Sequence, residues 1–139
     1  MPDRTPVQLL AALVGVVFVV IGILGFIPGI TTHYGDLSFA GHGSDARLVG
    51  LFQTSVLHNL VHIAFGAGIF MARTAEGART FLIVGGVVYL VIWLVGLIGG
   101  LEWLPVNSAD NWLHFVFGLV MIALGFAAGR STAGATAPA

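Results

Sequence analysis

Apolar residues in this chain do not alternate with polar ones. They run in four long blocks, Val7–Ile30, Leu48–Ala72, Phe81–Leu101 and Trp112–Gly129, parted by short polar joints. Each block approaches or exceeds the ~20 residues that cross ~30 Å of hydrocarbon as an α-helix. No segment has the period-two alternation of a lipid-facing barrel strand. The pattern therefore predicts helices, the other backbone form that satisfies its own hydrogen bonds in lipid. The expected spans are about 7–30, 48–72, 81–101 and 110–129. They make an all-α membrane protein, a four-transmembrane-helix up-down-up-down bundle in a single domain over residues 1–130. Residues 131–139, small and polar, are expected to be a disordered cytoplasmic tail. The first block is longer than the apolar core of a secretory signal, and Phe26-Ile27-Pro28-Gly29 follows where a small-x-small cleavage site would stand, so it reads as a retained span. Pro28 is expected to end that span rather than kink it.

Composition agrees. Charged residues make up 8% of the chain and none lies inside an apolar block, whereas a soluble domain carries about a quarter charged residues. The absence of cysteine excludes disulfides, thiolate metal sites and thiol catalysis. The cations are all arginine and fall unevenly: Arg4, Arg73, Arg79 and Arg130 on one side, Arg47 alone on the other with Asp36, Asp45, Glu102 and Asp110. Arginine in short joints marks the cytoplasmic face. Both termini and the Arg73–Thr80 joint are thus expected inside, with loops Thr31–Arg47 and Glu102–Asn111 outside. Tyr34, Trp103 and Trp112 suit the headgroup level at that outer face. So few cations, split across a membrane, exclude nucleic acid as a partner.

The chain reads as an internal repeat of one helical hairpin. Gly15-Val16-Val17-Phe18-Val19-Val20-Ile21 recurs as Gly86-Val87-Val88-Tyr89-Leu90-Val91-Ile92, and Asn59-Leu60-Val61-His62-Ile63-Ala64-Phe65-Gly66 as Asn111-Trp112-Leu113-His114-Phe115-Val116-Phe117-Gly118. Two hairpins of the same topology should be related by a pseudo-twofold axis along the membrane normal, as in parallel repeats. Gly25-x-x-x-Gly29, Gly96-x-x-x-Gly100 and Gly125-x-x-x-Gly129 set small residues on one helix face, and with Gly66 and Gly118 they are the expected helix-packing positions.

His58, His62 and His114 are the ionisable side chains well inside the apolar blocks. Spacing of four puts His58 and His62 on one helical face. The repeat pairs His114 with His62, while its depth counted from the arginines is nearer that of His58. Ionisable groups in lipid are costly and are read as functional. As a cofactor-binding set they could be axial ligands to haem b, with Gly66 and Gly118 leaving room for a macrocycle. They could also hold Zn²⁺ or another transition metal, with water or Glu102 as fourth ligand, or relay protons. The structural alternative has neutral imidazoles bonded to Asn59, Asn111, Thr54, Ser55 or Gln53, fixing helix register. His33, Asp36, His42 and Asp45 in the first outer loop have no recognised ligand spacing and read as solvated. Asp110 is placed to cap the fourth span.

The run Gly50-Leu51-Phe52-Gln53…Leu57-His58-Asn59-Leu60-Val61-His62…Gly66, with Asn111-Trp112-Leu113-His114-Phe115…Gly118, resembles a family of small four-span membrane proteins from actinobacteria catalogued as a domain of unknown function. The resemblance runs from about Val7 to Arg130 and implies the four-span fold and the bacterial inner membrane. It implies no activity. The family's histidines match at His58, His62 and His114.

No nucleophile–base pair with an orienting acid, phosphate loop or carboxylate pair is legible, and Ser55 beside the histidines is too little to name a reaction. The expectation is a non-catalytic accessory or scaffold module surrounded by the lipid bilayer, in a larger membrane complex or a homo-oligomer. Haem or metal binding is the first alternative, and passage of protons or small solutes through an oligomer is the second.

Overall fold

The structure, a computed structural model, describes residues 4–99 and 102–134, with side chains as far as Ala127 in the last helix. Helix α1 spans Pro6–Leu24. It opens on a capping box in which Thr5 and Gln8 satisfy each other's free groups, with proline at the first helical position. A connecting segment follows, carrying β1 (Thr31–Thr32), β2 (Arg47–Leu48) and β3 (Phe52–Gln53) in one antiparallel meander of order β1-β2-β3. Helix α2 (Val56–Phe65) and the short α3 (Gly68–Met71) come next, then α4 (Ala75–Leu97) and α5 (Ser108–Gly134).

The expected second span, Leu48–Ala72, is not one helix. Its first six residues belong to the meander, with Leu48 paired to Phe52 and Arg47 to Gln53. Ser55 begins α2 as its N-cap, its hydroxyl accepting the His58 N–H. The helix is then interrupted at Gly66-Ala67, where the amides of Gly66, Ala67 and Ile69 reach back three residues instead of four. The first helix ends at Leu24, short of Ile30, and α5 runs past Arg130 to Gly134. Residues 135–139, the rest of the tail expected to be disordered, lie outside the described residues, as does Gly100.

Helices α2 and α3 run antiparallel beside α1 for its whole length. At one end the Asn59 amide faces Gly25; further along, Gly22 meets the Asn59 carbonyl and Gly15 meets Ile69. At the far end the Gln8 side-chain N–H groups donate to the carbonyls of Ala72 and Arg73. Helices α4 and α5 form a second antiparallel pair, with Asn111 against Gly96, Gly118 against Gly86 and Ile83 against Gly125. Helix α1 touches α2, α3, α4 and α5 and so joins the two pairs. Near the start of α1 and the α3–α4 joint Val7, Ala11, Val14, Ala72, Ala78, Phe81, Leu82 and Met121 fill the middle.

Outward faces are as apolar as the core. Leu9, Leu13, Val16, Val20 and Ile23 of α1, Val84, Val87, Val91 and Leu94 of α4, and Val116, Leu119, Val120 and Phe126 of α5 are exposed. Apolar surface of this extent on every long helix suits lipid rather than water. Helices α1, α4 and α5 are long and apolar enough to cross a membrane, while Val56–Met71 is shorter. Lipid tails offer helices no hydrophobic gain on association, so close backbone approach at small residues carries the packing.

Gly29 departs from its expected role. It lies beyond α1 at φ +92° with nothing within 4 Å of where a Cβ would stand, so a turn and not a packed helix face asks for glycine there. The surroundings of Gly129 lie outside the described residues.

Candidate metal centre

The N-terminal parts of α2 and α5 bring three imidazoles together. His58 lies one turn after the Ser55 cap and His62 one turn further, their ring centroids 4.5 Å apart. His114 reaches in from α5, 6.2 Å from the His58 ring and edge-on to Tyr89 at 4.9 Å. One nitrogen of each lies within 4.8 Å of the other two. The two depth counts for His114 are thereby reconciled, since it reaches both α2 histidines. His58 and His114 are buried and His62 nearly so.

The expected hydrogen bonds from these rings to neighbouring amides and hydroxyls are missing at one position of each. Nδ1 of His58, His62 and His114 is buried without a partner. Thr54, one expected partner, donates to the Asn59 carbonyl oxygen instead. An unmet buried polar atom costs about 1–3 kcal/mol, so three on neighbouring rings ask for partners. A transition metal answers. Tetrahedral ligation at metal–nitrogen distances of ~2.0–2.1 Å sets nitrogens about 3.3 Å apart, which rotation of the rings reaches from the present spacing. Imidazole donors without an oxygen cage suit Zn²⁺, Co²⁺ or similar ions better than Mg²⁺ or Ca²⁺.

Haem fits poorly. Bis-histidine ligation places a broad macrocycle between rings of facing helices, and the cavity that His58, His62 and His114 border, about 240 Å³, is too small for one. Nor do the glycines leave space: Gly66 is filled by Val19, and Gly118 by Leu90 and the Gly86 carbonyl.

The acid beside this cluster is Asp110 and not Glu102. Glu102 is exposed in the turn between α4 and α5, whereas Asp110 is 3% exposed and lines the same cavity as the histidines. Asp110 does take part in capping α5. Its Oδ2 accepts the Asn107 N–H, and Asn107 Oδ1 accepts the Asp110 N–H, a reciprocal arrangement at the helix start. The same carboxylate oxygen accepts the Gln53 N–H at 2.9 Å, tying the meander to α5. Sequence reading missed this. A signal existed, because the register that pairs Asn59 with Asn111 also pairs His58 with Asp110. His33, Asp36, His42 and Asp45 are all exposed, apart from the triad.

Beneath the imidazoles lies a ring cluster of Phe18, Phe65, Tyr89 and Phe117. Phe18 lies 5.4 Å from Tyr89, and the crossed pairs Phe18–Phe117 and Phe65–Tyr89 are both 5.7 Å apart. Phe18 faces His62 at 5.9 Å as Tyr89 faces His114 at 4.9 Å. Such tilted and edge contacts are favourable between aromatic rings. Phe18, Tyr89 and Phe117 of this cluster form the floor of a cavity of about 240 Å³.

Fold and site define a small helical protein of membrane-spanning character with a buried imidazole triad. The chain belongs to the family described as Domain of unknown function (DUF4383), whose family model matches residues 8–127. Searches of curated proteins and of solved structures find no match.

Proposed function

We propose that this chain is a four-crossing integral protein of a bacterial inner membrane that holds one divalent transition metal on His58, His62 and His114. The single observation that carries the metal is the trio of buried Nδ1 atoms without partners, on rings whose nitrogens lie within 4.8 Å of each other. A purely accessory or scaffold role leaves those atoms unexplained, so metal binding takes precedence.

The fourth crossing is α2 with α3. It runs beside α1 from Gly25 to Gln8, so it travels as far across the bilayer as a helix long enough to span it. Arginine placement supports termini and the α3–α4 joint on the cytoplasmic side, which puts the triad near the outer face.

Duplication of a hairpin is part of the same reading. Gly66 packs on Val19 and Gly15 as Gly118 packs on Leu90 and Gly86, and Gly25 faces Asn59 as Gly96 faces Asn111. Every one of these pairs is carried onto its counterpart by the sequence register of the two hairpins. The equal crossed ring distances have the same origin.

Elemental analysis of protein purified in mild detergent from metal-replete cells tests the function. We expect about one zinc or similar ion per chain. His62→Ala or His114→Ala should lose it, and His33→Ala should keep it. Protein that stays metal-free, even after incubation with Zn²⁺ or Co²⁺, would dispose of the reading.

A further inference from the structure

We propose that the triad metal keeps one coordination position facing the adjoining cavity, and that this cavity receives a small uncharged lipophile bearing a single donor atom at one end. The inference rests on the metal reading above and names the ligand of that same site.

Three protein nitrogens leave a tetrahedral ion one position short, the arrangement of metal sites that bind an exogenous group. All three histidines border the cavity, so the open position faces into it. Beyond them the wall is carbon: Phe18, Ile21, Leu24, Leu48, Phe52 and Leu113. Most polar side chains that also border it are already engaged. Gln53 Nε2 donates to the Ser44 carbonyl, Thr54 donates to Asn59, and one Asp110 oxygen accepts two backbone N–H groups. What remains besides the imidazoles is the second Asp110 oxygen, the Asn59 Nδ2, itself buried and unpartnered, and the Tyr89 hydroxyl.

Such a wall selects by exclusion. Each ligand polar group left without a partner would cost about 1–3 kcal/mol, which rules out sugars, nucleotides and amino acids. A charged ligand would pay more still. A cavity of about 240 Å³ has room for on the order of ten non-hydrogen atoms. The class is therefore a compact apolar molecule, such as a medium-chain alcohol or aldehyde, whose oxygen meets the metal while its tail lies against the aromatic floor.

The test uses the full chain loaded with Co²⁺ in nanodiscs of fixed lipid content. Cobalt content is measured first, and visible absorption reports ligation. Two neutral donors are titrated, 1-hexylimidazole with an apolar tail and 1-(3-hydroxypropyl)imidazole with a polar one. The hexyl compound should shift the cobalt bands at a concentration about tenfold lower, a difference equivalent to a few buried methylene groups. Leu24→Trp and Ile21→Trp, which fill the cavity from its α1 wall without removing a ligand, should each abolish that advantage at unchanged cobalt content. Full cobalt loading with equal response to both donors, or a hexyl advantage that survives both tryptophans, would overturn the lipophile site and leave the metal reading standing. A chain that takes up no cobalt would overturn both.

Discussion

Asn59 and Asn111 show how much one residue can decide inside lipid. Each lays its amide on a glycine of the preceding helix, Gly25 and Gly96, so tightly that a Cβ would collide with it. Gly25→Ala or Gly96→Ala should therefore lower stability by about 1–3 kcal/mol, the usual cost of overpacking, as read from thermal unfolding in detergent. Gly43→Ala, with open space and no positive φ, should stay within about 0.5 kcal/mol of the parent. Asp110 decides a different quantity. A divalent ion on three neutral imidazoles brings an unbalanced charge into an apolar site, and Asp110 is the carboxylate among the cavity-lining residues. Asp110→Asn keeps an acceptor for the Gln53 and Asn107 amides but removes the charge. Zinc affinity by competition with a chelator should fall about tenfold, the lower range for loss of a supporting group around a metal. The histidines were legible as candidates because spacing of four and an apolar setting are local features. Their union with Asp110 was not, because it depends on Gln53 of a distant loop donating to that carboxylate.

At the scale of elements, hydrophobic length identified the helices, and it failed where an apolar run was not helical. Leu48-Val49-Gly50-Leu51-Phe52 is as apolar as the blocks around it, yet its backbone turns between β2 and β3. Val49 and Gly50 both have positive φ, 47° and 74°, and the Val49 N–H donates to the Ile30 carbonyl. Glycine at 50 was a turn signal; valine at 49 hid it, since β-branched residues rarely adopt that conformation. Backbone strain of this kind costs about 1–3 kcal/mol and often sits at functional sites. Val49 borders the cavity. Val49→Asn, which tolerates the left-handed region, should raise thermal stability by about 1 kcal/mol. An unchanged or lowered unfolding midpoint would mean that the turn stores no strain. Gly25, Gly96 and Gly125 do lie against neighbouring helices, but Gly15, Gly22 and Gly86 pack as closely without belonging to a spaced pair, and the break at Gly66 was not legible, because a helical glycine gives no sign of where its hydrogen bonds shorten.

For the whole molecule, the decisive expectation is topological. A chain without cysteine allows single thiols to be introduced against no background. Cysteine at His33 or His42 should react with a membrane-impermeant maleimide in intact spheroplasts, and cysteine at Glu76, beside the α3–α4 joint, only after lysis. Reaction of both sets from one side would end the four-crossing reading. Block length made the long apolar helices legible along the chain, and arginine bias sets the orientation that these thiols test. The short α2–α3 unit was hidden because it lies flush with α1 without forming one continuous helix. The duplication and the metal site proposed above carry a further consequence. Identical hairpins associating as separate subunits would have to present the same side chain at both symmetry-related positions, either two imidazoles or two carboxylates. Tethering releases them from that obligation: His58 on one half can donate to a cation while Asp110, its counterpart on the other, neutralises it. Asymmetry of this sort is open to a fused pair and closed to a homodimer.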